Sequence, residues 1–319
     1  MIALLLGAAL ALPPAQVRAD TVRDTVFVVS NRRRVSHGFT RDVSDSLWYG
    51  LYVTRLVTRG GGARSLAPMH VQRVDSLALT PDDWTTRLAA AARDTAVRHA
   101  VLLYVHGYSS SPGTAVAQAV QVRARGAHRG PLVVFLWPTH ELYVAPPTPA
   151  RAYTDDAAAA ARSGDAFARV VTRLRALAPE LVLVAHSMGT RIALAAIVSD
   201  TATHHLLTDR PLRALGIFSP DVGAASFRAD FAPQLPMVAR RVALYGARND
   251  YLLGAAVLVN RERRASGITV RGASLPGIEL VDDTRGARAE PALLTLLGPR
   301  HAVRWASAAL ADFFGIVVA

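Results

Sequence analysis

The chain contains no cysteine and no lysine. The absence of cysteine excludes disulfides, thiol nucleophiles, zinc–thiolate sites and a lipoprotein attachment point. The absence of lysine makes all 36 basic residues arginine, set against 24 acids for a formal net charge of +12. Aromatic residues are also scarce, at 7%. A nucleic-acid binder concentrates its basic residues and interleaves them with aromatics. Here the arginines are scattered, and the densest spots, Arg32 to Arg34 and Arg261 to Arg264, are short. They read as a compositional bias without a nucleic-acid partner, compatible with affinity for anionic surfaces. Glycine-rich phosphate loops after strands are missing too, so no nucleotide cofactor is expected. No metal is expected either. His204, His205 and Asp209 match no common helical ligand spacing and read as a solvated helix end.

Long apolar runs are equally few. The run from Ile2 to Leu12 is too short to span a bilayer, and no other suffices, so no integral membrane segment is expected. Pro13 and Pro14 follow it, and Val17-Arg18-Ala19 makes a small-residue cleavage site before Asp20. Residues 1–19 therefore read as a signal peptide for export to the periplasm or beyond, although a positively charged start is lacking. An N-terminal strand or helix, with a cytoplasmic protein, is the other reading. Residues 20–319 read as one domain. Apolar residues make up 51%, ample for a core.

Strand-like runs dominate what is present. Val26 to Ser30 and Trp48 to Thr54 read as strands, the second antiparallel, with Gly60 to Gly62 as a turn. Pro81 to His99 reads as a helix, with acids in its first turn. From Ala100 onward strands and helices alternate. Strands are expected at 100–105, 132–137, 181–185, 215–218, 241–245 and 278–281. Helices are expected at 114–125, from Asp155 to Leu177, after Ser187, and before Phe314. Alternation at this spacing implies an α/β fold with a mostly parallel sheet covered by helices on both faces. Ligands in such sheets bind outside the carboxyl ends of the strands.

The sharpest stretch is Leu181 to Ile197, where Ala185-His186-Ser187-Met188-Gly189 joins a buried strand to an Ala-rich helix. A serine on such a turn has the geometry of a nucleophile elbow, with Ala185 where the motif usually has glycine. The bland alternative is a helix-capping serine. A serine hydroxyl needs a base, and the base needs an acid to hold its tautomer. After Ser187 only His204, His205 and His301 remain. The first two fall at the wrong end of the sheet, which leaves His301 as the base. Asp250, in the loop after the strand at 241–245, is the favoured acid. Asp221, after the preceding strand, is the alternative as acid or as a supporting residue. Asp282 and Asp283 are weaker candidates. Met188 offers one oxyanion-hole amide. His106-Gly107-Tyr108 offers the other through Tyr108, with His106, Gly107, His186 and Gly189 in support.

His106-Gly107-Tyr108, Phe135 to Thr139, Tyr153, Asp156, Ala185 to Arg191, Ser219 to Asp221 and Gly277 to Glu279 form an ordered set. With Ser30-Asn31-Arg32 near the start, the set resembles a bacterial esterase-like group of the α/β-hydrolase superfamily whose members are classed as a domain of unknown function. The resemblance covers roughly residues 25 to 315. It implies an α/β-hydrolase fold and cleavage of an ester-type bond in a small molecule, with no substrate specified. The chain departs from the group at Ser109, commonly Asn, at Thr139, commonly Ser, and before His301, where the group's usual glycine is displaced to Gly298, three residues upstream. The expectation is therefore a carboxylic ester hydrolase acting through an acyl-enzyme. An acyltransferase with the same triad, and a catalytically silent binding fold, are the alternatives. The loop from Pro138 to Tyr153, with Trp137 before it, reads either as a pocket wall or as a rigid structural loop. Oligomeric state is not specified by the sequence.

Overall fold

The computed structural model describes residues 19–36, 38–59, 69–93, 100–140, 149–248, 250–271, 273–284, 310 and 313–314. His301, Gly298, Asn249, Gly60 to Gly62, residues 94–99, most of the expected signal segment and the centre of the loop after Pro138 lie outside them.

The first part of the chain is an antiparallel ladder. Strand β1 (Ala19–Val35) pairs with β2 (Gly38–Arg59), which pairs in turn with β3 (Met69–Leu79). Both early strands are much longer than their apolar runs suggest. Their polar ends are held by main-chain pairing rather than by burial. Strand β3 was not expected at all. It is an edge strand carrying Arg73 and Asp75, with Val74 and Leu77 exposed, so it lacks the pattern of a core strand.

Helix α1 (Pro81–Arg93) opens on a Thr80–Asp83 capping pair and buries Trp84 and Leu88. The alternating part then begins. In order come β4 (Val101–Val105), α2 (Pro112–Arg125), β5 (Leu132–Leu136), α3 (Pro149–Arg162), α4 (Gly164–Leu177) and β6 (Leu181–His186). These strands are buried residue for residue, as parallel strands covered on both faces must be. Next come α5 (Gly189–Leu194), which runs into a π turn over Ala195–Ser199, α6 (Thr201–Asp209) and β7 (Ala214–Phe218). The short helices α7 (Ala224–Ser226) and α8 (Leu235–Val238) precede β8 (Val242–Gly246). Helix α9 (Tyr251–Asn260), a 3-10 turn (Ala265–Arg271) and β9 (Glu279–Asp282) follow. Leu310, Phe313 and Phe314 are helical, where a closing helix was expected.

One expected helix is two. The run from Asp155 to Leu177 begins earlier, at Pro149, and breaks at Ser163. The Ser163 hydroxyl donates back to the Ala159 carbonyl, 2.8 Å away, and accepts from Asn31 Nδ2. Such back-bonding bends helices, and Gly164 follows directly.

The nine strands lie in the order β3-β2-β1-β5-β4-β6-β7-β8-β9, and every neighbouring pair from β1 to β9 is parallel. Alternate residues of the strands feed two cores. Leu103, Val105, Leu183 and Ile217 pack with Trp84, Phe167, Leu174 and Ile192, under α1, α4 and α5. Leu102, Tyr104, Val184 and Tyr245 pack with Val116, Ala119, Phe313 and Phe314 on the other face. The fold is an α/β-hydrolase-type parallel sheet with helices on both faces. The chain leaves β4 towards β5 on one side and returns as β6 on the other. The crevice between the carboxyl ends of β4 and β6 is thus the topological switch point, the place that ligands take in sheets of this kind.

Candidate active site

Two loops meet at that crevice. Ser187 follows β6 with φ +50°, a left-handed conformation that non-glycine residues adopt only when the surroundings impose it. The surroundings are plain. Its amide donates to the Phe218 carbonyl of β7 (2.9 Å), and its carbonyl accepts from the amides of Thr190 (3.0 Å) and Asp221 (3.2 Å). Ala185 and Met188 are fully buried beside it. Among the described residues none hydrogen-bonds the Ser187 hydroxyl or takes the Met188 amide proton.

The turn works only because two glycines let the loops touch. A Cβ on Gly189 would stand 2.3 Å from the His106 carbonyl oxygen, and one on Gly107 would stand 2.8 Å from the Ser187 Cβ. His106-Gly107-Tyr108, at the end of β4, is therefore pressed against the Ser187 turn. The loop is held from behind. The His106 Nδ1–H donates to the Gly107 carbonyl (2.9 Å), and its Nε2 accepts from the Trp137 amide (3.2 Å). The Trp137 indole donates to the His106 carbonyl (2.8 Å) and stacks on the imidazole. Burial pushes the His106 imidazole down to about 3, so it stays neutral. It is a brace for the loop. Ser110 and Thr139 exchange two hydrogen bonds, and Ser111 caps α2.

Beside this loop His140 gives both its amide (2.8 Å) and its Nδ1 (2.6 Å) to Asp156, a buried residue of α3. Burial holds the Asp156 carboxyl above the ordinary carboxylate range, against the lowering pull of His140.

On the β7 side a polar knot surrounds Asp221, which is 1% exposed. Tyr153 gives its hydroxyl to both carboxylate oxygens, at 2.9 and 2.7 Å. Arg191 reaches Oδ2 (3.2 Å) and the main-chain carbonyl (2.7 Å), and Arg264 Nε lies 3.1 Å from Oδ1. The Tyr153 hydroxyl also accepts from Arg191 and Asn260. Burial and the Asp221 charge push the Tyr153 phenol up to about 12. Its ring meets that of Tyr108, whose phenol burial also raises to about 12. Asp221 is thus spoken for by a tyrosine and two arginines.

Asp250 stands apart from this knot. It follows β8, caps α9 by accepting from the Leu253 amide (3.1 Å), and lines a cavity of about 370 Å³. His301 lies outside the described residues, so its distance from Asp250 and Ser187 is not among these contacts. Asp282 forms a turn with Thr284 and a long ion pair with Arg248, while burial beside Asp282 pushes Asp283 up to about 6. His186 is buried at the end of β6, against Gly107. His204 sits on α6 with its ring towards the Ile197 carbonyl, and no metal-type cluster occurs among the described residues. No helix among the described residues is long and apolar enough to cross a membrane.

Sequence reasoning gathered the two loops but missed the part played by Arg264. Among 36 arginines, nothing in its spacing singles it out. Only the return of the chain after α9 sets it against Asp221, through main-chain bonds from Ala224 to Arg263 and from Ala265 to Val222.

The sequence model of a family described as alpha/beta hydrolase of unknown function (DUF900) matches residues 82–282. No curated protein sequence matches. Among solved structures, a bacterial brefeldin A esterase, described as a homologue of human hormone-sensitive lipase, is similar at 14% identity. The match covers 97% of this chain and 81% of that one, with a TM-score of 0.28.

Proposed function

The chain belongs to this family of alpha/beta hydrolases, and from that premise we propose that it is a serine hydrolase of small carboxylic esters. The observation that carries the reading is Ser187. It sits at a left-handed turn on the carboxyl end of β6, at the switch point, with the Met188 amide unclaimed by the described residues.

In this reading the Ser187 Oγ attacks the ester carbonyl carbon while His301 accepts its proton. The carbonyl π electrons move onto oxygen. The Met188 and Tyr108 amides stabilise that oxyanion, a contribution of about 3 kcal/mol per donor. Collapse expels the alcohol, which takes the proton from His301 and leaves an acyl-serine. Water then attacks the acyl carbonyl, again with His301 as base, releasing the acid and restoring the hydroxyl. Asp250 holds the imidazole in the tautomer that presents a free nitrogen to the serine. Asp221 supports this reading by being occupied already: an acid shared by Tyr153, Arg191 and Arg264 has little left to offer a histidine.

The test is a p-nitrophenyl ester series of increasing acyl length, with and without an added alcohol acceptor. Hydrolysis of short-chain members with release of free acid is expected. Transfer to the added alcohol in preference to water would make the protein an acyltransferase. No turnover of any member by folded protein would leave a silent binding fold.

A further inference from the structure

The cavity beside Asp250 is unusual in its charge. Four arginines line it, Arg228, Arg248, Arg263 and Arg264, against the single carboxylate of Asp250. Arg264 is committed to Asp221, and Arg248 lies 3.7 Å from Asp282. Arg228 and Arg263 form no ion pair among the described residues. Arginines without an ion pair among the described residues occur elsewhere too, as Arg169 and Arg173 show, so what sets this cavity apart is that four arginines line it together. A larger cavity between α4 and α6, of about 580 Å³, balances Asp165 and Asp200 against Arg169 and Arg173. Two exposed arginines without an ion pair among the described residues thus line one cavity together with the proposed triad acid.

The cavity is also a built one. Its wall is anchored by the backbone bond from the Ala224 amide to the Arg263 carbonyl (2.7 Å) and by the Gly223–Arg264 bridge. Its floor includes the buried Leu253 and Ile268. Arg264 joins it to the nucleophile turn through Asp221, whose amide holds the Ser187 carbonyl. A volume of about 370 Å³ falls in the range of small-molecule sites. The guanidinium fork matches the oxygens of a carboxylate or phosphate, and two forks in one cavity give geometric selection as well as attraction.

We infer that this cavity is an anion-recognising subsite, and that the substrate is an ester bearing a carboxylate or phosphate group held by Arg228 and Arg263. The inference rests on the serine-hydrolase reading for its substrate but not for its binding site. Arg248 and Arg264 add positive potential. Asp250 opposes it with one charge, which also keeps the anionic group away from the acid itself.

Two esters of matched size test it on the full chain: mono-p-nitrophenyl succinate, which ends in a carboxylate, and p-nitrophenyl butyrate, which ends in a methyl group. The expected kcat/KM ratio is at least about tenfold in favour of the succinate, the worth of one good charge-assisted contact. R228A/R263A should lower that ratio at least about fivefold, and R228K/R263K should keep more of it, because a charge remains. Competition by inorganic phosphate and by succinate distinguishes the two anions. A ratio near one with clear butyrate turnover would overturn the inference while leaving the hydrolase reading intact. If neither ester turned over, the hydrolase reading would fail, and melting of the S187A protein would decide the cavity. Inorganic phosphate should raise its Tm. That rise should vanish with R228A/R263A and survive R87A/R93A, which removes two arginines from α1. A rise that R87A/R93A abolishes equally, or no rise at all, would overturn it.

Discussion

The amide of Asp221 donates to the carbonyl of Ser187 across 3.2 Å. That bond ties the Ser187 turn to the loop after β7, and the carboxylate of the same aspartate gathers Arg191, Arg264 and Tyr153. Asp221 is thus a keystone of position, whereas Asp250 faces a cavity. The two acids should separate by experiment. Asp221→Asn leaves the buried Arg264 and the partly exposed Arg191 short of a charged partner and should cost about 3 kcal/mol of stability, read as a fall in Tm. Asp250→Asn should cost about 1 kcal/mol or less through its cap but lower kcat by about a thousandfold or more. Lost turnover at unchanged Tm in Asp221→Asn would reverse the assignment.

The contact of the two loops gives a second expectation. Gly189→Ala places a methyl group 2.3 Å from the His106 carbonyl oxygen and 2.9 Å from that of Val105, both main-chain atoms that cannot swing away, so the protein should be strongly destabilised. Gly107→Ala presses on the Ser187 Cβ instead. It should fold, with kcat/KM reduced about a hundredfold by displacement of the nucleophile. Circular dichroism beside kinetics checks both.

His106 gives the chain an acid-sensitive limb. Its imidazole is kept neutral in the fold, at about 3 against an ordinary 6.5. Between those values the unfolded chain binds the extra proton, so stability is present above pH 6.5 and is lost as pH falls towards 3. The slope is about 1.4 kcal/mol per pH unit for one proton. Denaturant titrations from pH 7 to 4 should show that slope shrinking by one proton in His106→Gln. An unchanged slope would contradict the neutral brace.

Tyr153→Phe removes a hydroxyl that serves Asp221, Arg191 and Asn260 at once. A loss of about 1–3 kcal/mol is expected for the unsatisfied partners. Because the phenol sits at about 12, turnover should show no alkaline limb from it below pH 10.

The meeting of the candidate site's two loops was readable in advance because each loop is local. Ala185 to Gly189 and His106 to Tyr108 each sit within a few residues of a buried strand, and each motif is written in consecutive letters. The chain order of strands then carried them to one end of the sheet. What escaped was long-range or hidden by composition. Strand β3 exposes its apolar residues, so no burial pattern marks it. The break at Ser163 depends on Asn31, more than 130 residues away. Arg264 finds Asp221 only through the fold, and in a chain whose every base is arginine the two that face the cavity look like any others. Ala185, where glycine is usual, is simply buried in the core beside the turn.

The central claim is that Ser187 is an activated nucleophile, and covalent labelling tests it most directly. The folded protein treated with a fluorophosphonate should gain one adduct, and peptide mass spectrometry should place it on Ser187. S187A should gain none. An unlabelled folded protein, or an adduct on another residue with Ser187 untouched, would contradict the account.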